Sequence, residues 1–274
     1  MNTSDSTADP PVRTAPDVIS ALLAAIREGE LQPGDHVPSN SALAAQYGVH
    51  RNTASKAVSH LKAAGVLSGP AGGKTWVRVK PPYTRRSNMR YHIEKALTLK
   101  SEEERAATGV AELDSNLKIE SLYEDLVDYD VVDPPSDIAE IFGLAEGQQV
   151  LRRTRLRRHR AGAGSSGSVS YLPYDLIKRN PDLLDAKREP WPGGTMHQLF
   201  TIGIEIGRIQ DRVTASMPTP EESVEYDIPP GVPVLRIRKI SYSTEDDAVE
   251  IADIPIPADR VELVYDTMLE GWES

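Results

Sequence analysis

Between Leu31 and Val77 the chain carries turn, cap and breaker residues at such close spacing that few folds accommodate them. The first run is Leu31-Gln32-Pro33-Gly34-Asp35-His36-Val37-Pro38-Ser39. Proline presets φ and glycine accepts φ > 0, so Pro33-Gly34 turns. Ser39 brings a hydroxyl that can cap orphan N–H groups and opens a helix from about Asn40 to Tyr47. Gly48 closes it as a C′ residue, and a further helix starts at His50 or Arg51 and runs to about Ala64. Ahead of both, Val18, Leu22, Ala25 and Ile26 recur at helical spacing between Ala15 and Glu28. Leu43, Ala44 and Tyr47, then Ala54, Ala57, Val58 and Leu61, supply the facing apolar stripes. Two short helices joined by a tight Gly-containing turn form a helix-turn-helix. Gly65 ends the third helix. Val66–Ser68 and Thr75–Val79 read as two strands around a Gly72-Gly73-Lys74 tip, a wing.

That arrangement leaves Arg51, Asn52, Ser55, Lys56 and Ser59 on the outer face of the third helix. Polar side chains at the start of a recognition helix can reach base edges. Over residues 16–79 the chain resembles the GntR family of bacterial transcription regulators. The matching stretches are Gly29-Glu30-Leu31-Gln32-Pro33-Gly34-Asp35-His36-Val37-Pro38-Ser39-Asn40, Gly48 to Ala57, and Gly73-Lys74-Thr75-Trp76-Val77. The resemblance implies a winged helix-turn-helix that binds double-stranded DNA through Ser39, Arg51, Asn52, Thr53, Ser55, Lys56, Gly73, Lys74 and Thr75. Three family residues are replaced, by Asn40, Ser41 and Ser55, and His50 stands at the usual Ser cap. Lys56 sits one position beyond the lost arginine, about 100° around the helix. These departures imply an operator preference of its own.

Charge is divided unevenly. Residues 1–92 hold 11 Lys/Arg and 6 Asp/Glu; the remainder holds 20 and 35, within a chain of net charge −10. DNA is a polyanion, so affinity for it has to come from the basic part. The chain has no cysteine, which excludes disulfides and Cys-based zinc sites and suits a cytoplasmic protein. Isolated histidines such as His92 and His159 read as surface or core residues rather than metal ligands, and no cofactor is expected. No stretch approaches about 18 consecutive apolar residues, so no membrane span is expected. Residues 1–12 are polar, lack a signal-peptide pattern and read as a disordered tail. The expected domains are 13–79 for the winged helix and 91–274 for the second domain. A stiff, basic linker, 80–90, joins them through Lys80-Pro81-Pro82-Tyr83-Thr84-Arg85-Arg86.

The C-terminal part contains a repeat. Gly147-Gln148-Gln149-Val150-Leu151-Arg152-Arg153-Thr154-Arg155 resembles Gly231-Val232-Pro233-Val234-Leu235-Arg236-Ile237-Arg238-Lys239, 84 residues later. Each copy follows an acidic segment, Asp137–Phe142 or Pro220–Tyr226, and leads into strand-like residues ending near a proline. Two such α+β halves with antiparallel strands predict one domain with a cleft between the halves. Residues 88–270 resemble the UTRA effector domain of HutC-type GntR regulators, on Leu144 to Arg157, Ser170-Tyr171-Leu172-Pro173, Thr195-Met196-His197, Gly231 to Lys239, Val249-Glu250 and Asp259-Arg260. The resemblance implies an overall α+β architecture with a chorismate-lyase-like α/β UTRA domain. It also implies a homodimer on a palindromic operator and a small-molecule effector, taken as anionic, held by Arg155, Arg157, Tyr171, Thr195, His197 and Glu250. Arg155 and Arg157 are two apart on a strand and therefore share a face. Their guanidiniums either fork onto a ligand anion or pair with carboxylates across the sheet. The family's acidic residue is replaced by Gly167 in a flexible Ala161–Ser168 stretch, and its Tyr-Arg by Ile256-Pro257, which disfavours a sugar phosphate. Two other readings stand beside a ligand-released repressor: a constitutive repressor with a decayed pocket, and a chorismate-lyase-like enzyme with a DNA-binding appendage. The sequence shows no nucleophile–base pair, metal cluster or phosphate loop that demands chemistry.

Overall fold

The computed structural model describes residues 14–70, 72–79, 84–107, 123–159, 165–226 and 228–269. The chain divides into two compact units at Lys80/Pro81, with the short segment Pro229–Val232 grouping with the first. The tail expected over 1–12 lies outside the described residues.

The first unit holds α1 (Ala15–Arg27), α2 (Asn40–Tyr47) and α3 (Arg51–Ala63), then β1 (Leu67–Ser68) and β2 (Trp76–Val77). Local chemistry sets the boundaries. The Ser39 hydroxyl accepts from Ala42 N at 3.2 Å and starts α2. Gly48, at φ 62°, takes the left-handed conformation that ends it. At the start of α3, His50 caps by accepting from Asn52 N through Nδ1 at 3.3 Å. Val18, Leu22, Leu43, Ala54, Ala57, Val58 and Leu61 form the buried core with Val37, Leu67 and Val77. Ala25, Ile26, Ala44 and Tyr47 are only half-buried, at the margin of that core. The wing is wider than its two strands. Val37 N donates to Thr75 O at 2.8 Å and Val77 N to Asp35 O at 2.9 Å, so the chain after the Pro33-Gly34 turn runs along β2.

The second unit is built on a six-stranded antiparallel sheet in the order β4 (Tyr123–Val132), β5 (Val150–His159), β6 (Ser165–Pro173), β9 (Ala248–Pro257), β8 (Val234–Ser243), β7 (Ile206–Ser216). The 84-residue repeat is structural. Val150 and Val234 each begin a strand, and α6 (Ser136–Phe142) precedes the first as α9 (Pro220–Glu225) precedes the second. The halves form one continuous sheet rather than two packed lobes, and residues of both, among them Gln148, Arg179, Glu205 and Thr244, line a hollow. The halves meet edge to edge where Val169, Ser170 and Tyr171 pair with Asp253, Ala252 and Ile251. Joining β6 to β9 satisfies two strand edges that would otherwise present unpaired N–H and C=O groups.

Two further expectations are corrected. Residues 84–87 of the proposed linker form β3 (Thr84–Ser87), which pairs in parallel with β10 (Val261–Val264). An extended segment after two prolines finds an open strand edge, and Thr84 N donates to Arg260 O at 2.9 Å. The Ala161–Ser168 stretch is not loop throughout, because β6 already begins at Ser165. Gly167 lies in that strand where a Cβ would stand 2.6 Å from the Tyr226 hydroxyl, so any larger residue there would have to displace the ring.

One face of the sheet carries α4 (Arg90–Leu97), α7 (Tyr174–Ile177) and α8 (Gly194–Phe200), packed through a core of Leu151, Leu172, Ile177, Leu183, Met196, Leu199, Ile206 and Val249. The opposite face packs Ile240 and Ile251 against Ile138 of α6. The acidic run Glu102–Glu104 forms an exposed face of α5 (Glu102–Ala107). Leu61 is 1 % exposed at the centre of the first unit. Leu61→Ala should destabilise that unit by about 2–5 kcal/mol through transfer and cavity terms. Calorimetry should resolve a lowered first transition beside an unchanged second one.

Candidate nucleic-acid interface and ligand site

The start of α3 gathers part of the predicted DNA-contacting set. Arg51, Asn52 and Lys56 are exposed, while Thr53 and Ser55 are half-buried against the helix body. The first turn of α3 holds no acidic residue, so its positive end is left open to a phosphate. Ser39 is exposed but already engaged as the α2 cap. Gly73 and Lys74 are exposed at the wing tip and Thr75 is half-buried beneath them. Lys62 Nζ donates to Gly69 O at 3.1 Å and Pro70 O at 3.3 Å, which ties the end of α3 to the entry of the wing.

The ligand candidates sort by strand face. Alternation along β5 puts Arg153, Arg155 and Arg157 on the side covered by α8. Arg157 is held bidentately by Asp125 of β4, Nε and Nη2 each at 2.6 Å. Arg155 donates Nη2 to Glu189 at 2.6 Å. Arg153 is the buried member, 8 % exposed. It donates Nε to Ser170 Oγ at 3.2 Å and Nη2 to Thr195 Oγ1 at 3.1 Å, and Nη1 to Gln198 Oε1 at 2.5 Å. Glu250 lies 3.6 Å from Arg153 and accepts from Lys239 Nζ at 2.8 Å and Ser241 Oγ at 2.9 Å. Thr195 and Glu250 therefore converge on the arginine row. His197 lies on the same helix but turns to the Trp191 and Phe200 rings, its Nδ1 accepting from Trp191 Nε1 at 2.9 Å.

Tyr171 does not belong to this group. It follows Ser170 on β6, so its ring lies on the opposite face of the sheet, against the cluster of Ile138, Ile240 and Ile251. Ser170 takes the inward place. Reasoning from the sequence also missed Arg153, Glu189, Gln198 and Lys239. Two of these had a signal. Arg153 continues the alternation of Arg155 and Arg157, and Lys239 is the repeat counterpart of Arg155, 84 residues on. Glu189 and Gln198 reach the site from an irregular segment and a short helix, for which no periodicity exists.

Glu189 is the most connected carboxylate here. It accepts from Tyr129 Oη at 2.6 Å, Trp191 N at 3.1 Å and Gln198 Nε2 at 3.2 Å as well as from Arg155. Burial pushes its carboxyl up, but Arg155, the Tyr129 hydrogen bond and Arg153 outweigh burial and hold it below the usual range. Asp125 and Glu250 follow the same pattern: burial raises each, and Arg157 or Lys239 with Arg153 more than reverses it. Burial and the neighbouring Glu189 charge move the Tyr129 phenol up to about 12, so it stays a donor. Burial and the Arg105 charge lower His197, which favours its neutral form. Such a cluster can orient a small polar ligand over β5. Among the described residues nothing groups as a metal-binding set.

Comparison with known proteins bears on both units. The family described as "Bacterial regulatory proteins, gntR family" matches residues 14–77, and "UTRA domain" matches residues 122–262. The chain is 24% identical over 251 residues to the HTH-type transcriptional repressor NagR of Bacillus subtilis, covering 90% of this chain and 92% of that protein. A probable fructoselysine utilization operon transcriptional repressor of Shigella flexneri is 26% identical over 249 residues, covering 89% and 90%. A crystal structure of a GntR-family transcriptional regulator superposes with a TM-score of 0.61 at 22% identity, over 93% of this chain and 98% of that one, and shows the same fold.

The three depressed carboxyls fix a pH dependence. A group whose folded pKa lies below its unfolded value contributes stability above the unfolded pKa and loses it as pH falls through the folded one. The second unit should therefore lose stability progressively below about pH 4, where unfolded carboxylates begin to take up protons. Thermal unfolding followed from neutral to acid pH should show this loss, reduced in Glu189→Gln.

Proposed function

The chain belongs to the UTRA-containing GntR family of bacterial regulatory proteins, and we propose on that premise a dimeric repressor released from a palindromic operator by a small-molecule effector. The observation that carries the DNA-binding half is the open face of α3. Arg51, Asn52 and Lys56 are exposed beside a helix start free of acidic residues, and Lys74 is exposed on the wing. In this reading α3 enters the major groove and Arg51 with Asn52 reads base edges. Ser39, Thr53, Ser55, Lys56, Gly73, Lys74 and Thr75 meet the backbone. The basic part of the chain, residues 1–92, supplies the sequence-independent attraction. The names of the two relatives, both repressors, support repression rather than activation.

The effector half rests on the arginine row. Arg155 and Arg153, the latter in contact with Thr195 and Glu250, form the proposed ligand seat over β5. An effector acts only through a difference in affinity between the operator-bound and released states. Two-fold operators mirror two-fold proteins, so a dimer is the assembly that suits this mechanism. Domain limits near 13–79 and from about 84 onward, and a cytoplasmic location, belong to the same reading. Among the described residues no helix is long and apolar enough to cross a membrane.

A second reading draws on the ion pairs Arg155–Glu189 and Arg157–Asp125, which answer the arginines from within. It makes the protein a constitutive repressor whose pocket has decayed. A thermal-shift screen of metabolites separates the two, since a ligand at about 100 times its Kd stabilises by about 2.7 kcal/mol.

Footprinting on the protein's own promoter should reveal a protected palindrome. On that site Arg51→Ala should cost about 1–3 kcal/mol and relax the preference at one base pair. Lys74→Ala should weaken all sequences alike. Unchanged affinity in Arg51→Ala would remove α3 from the interface. Light scattering on the full chain should give twice the monomer mass; a monomer at every concentration would exclude the two-fold arrangement.

A further inference from the structure

The arginine row is charge-compensated by residues of the chain itself. Arg157 is answered by Asp125, Arg155 by Glu189, and Arg153 shares Glu250 with Lys239. Among the described residues four cations thus meet three carboxylates, and the surplus positive charge lies with Arg153 and Lys239, which share Glu250. Off the row, Arg105 and Glu102 act on His197 with opposite sign. Arg155 is the member with room for a ligand. Its side chain is 37 % exposed against 8 % for Glu189, and Nη2 carries its ion pair. Arg157 has both Nε and Nη2 committed to Asp125 and sits 19 % exposed.

A doubly charged phosphoryl group on Arg155 would stand beside Glu189 and within the field that Arg155 exerts on Asp125. Two like charges at such range repel, the more so because Glu189 is only 8 % exposed. A single carboxylate on Arg155 adds one negative charge, which the surplus cation of the neighbouring Arg153 and Lys239 balances. We infer that the site is built for a singly charged ligand group and that Glu189 is the specificity-determining residue, because it neutralises Arg155 and so excludes dianions. This rests on the proposed ligand seat over β5.

The test uses two oxyanions of like shape, methanesulfonate with one charge and sulfate with two, at one pH and ionic strength. Each is titrated into the full-length protein while the Arg155 side-chain Nε–H resonance is followed, assigned by its loss in Arg155→Lys. The wild type should take methanesulfonate at least as tightly as sulfate. Glu189→Gln, one negative charge poorer, should gain about fivefold or more for sulfate and reverse that preference. Glu189→Asp, with its charge kept, should not. Wild-type preference for sulfate by about fivefold or more overturns the charge limit, leaving the ligand seat itself in place, and it does so whether or not Glu189→Gln folds. A folded Glu189→Gln that keeps the wild-type order removes Glu189 from the role. If neither anion moves the Arg155 signal, Arg155 is not in a ligand seat, and both this inference and the reading beneath it fall.

Discussion

A guanidinium withdrawn from water has to be met by acceptors on every side, and in the second unit this requirement falls on Arg153. Its partners come from β6 through Ser170, from α8 through Thr195 and Gln198, and from β9 through Glu250. No single element could satisfy it. The helix α8 is therefore fixed over the sheet by a polar tie as well as by Met196 and Leu199 in the apolar core. Gln198 passes the tie on to Glu189, and Glu189 to Arg155 and Tyr129. Arg155 is thereby connected to the seat of α8 through hydrogen-bonded side chains, a physical link of the kind that coupling between sites requires.

The repeat sets the frame in which this network is asymmetric. Both halves use the same helix-then-hairpin plan, and their hairpins join through β6 and β9. The side chains then diverge. Lys239 is the repeat counterpart of Arg155, yet the register brings it into line with Arg153 through Ala252 and Ser170, while Arg157 corresponds to Ser241 and Arg153 to Ile237. One half carries the cations and the other carries apolar packing, with Glu250 and Lys239 at the boundary. The opposite face of the sheet spends its charges differently. Arg238 is closed by Asp253 and Asp137, and Arg236 by Glu222, as structural pairs between strands and covering helices.

The winged unit follows local rules, and its legibility in the sequence has that cause. Ser39, Gly48 and the Pro33-Gly34 turn act within a few residues of themselves, so α2 and the start of α3 stand where cap chemistry puts them. His50 replaces the usual hydroxyl cap with a ring nitrogen, and the helix still begins at Arg51. Only the pairing of the 35–37 segment with β2 went unread, because strand pairing at that distance leaves no local mark.

The sequence alone determined the helix-turn-helix, the wing, the repeat and the common face of Arg155 and Arg157, because each follows from caps, turns or periodicity along the chain. Tertiary structure decided the rest. It joined the two halves into one continuous sheet, since two open edges pair more favourably than they stay apart. It drew Thr84–Ser87 out of a supposed linker into a strand by offering β10 as partner. It moved Tyr171 to the far face and brought Arg153, Glu189, Gln198 and Lys239 to the near one. Those placements depend on which segments distant in sequence come to lie within about 3 Å of one another, and hydrogen-bond partners across such separations have no period to read.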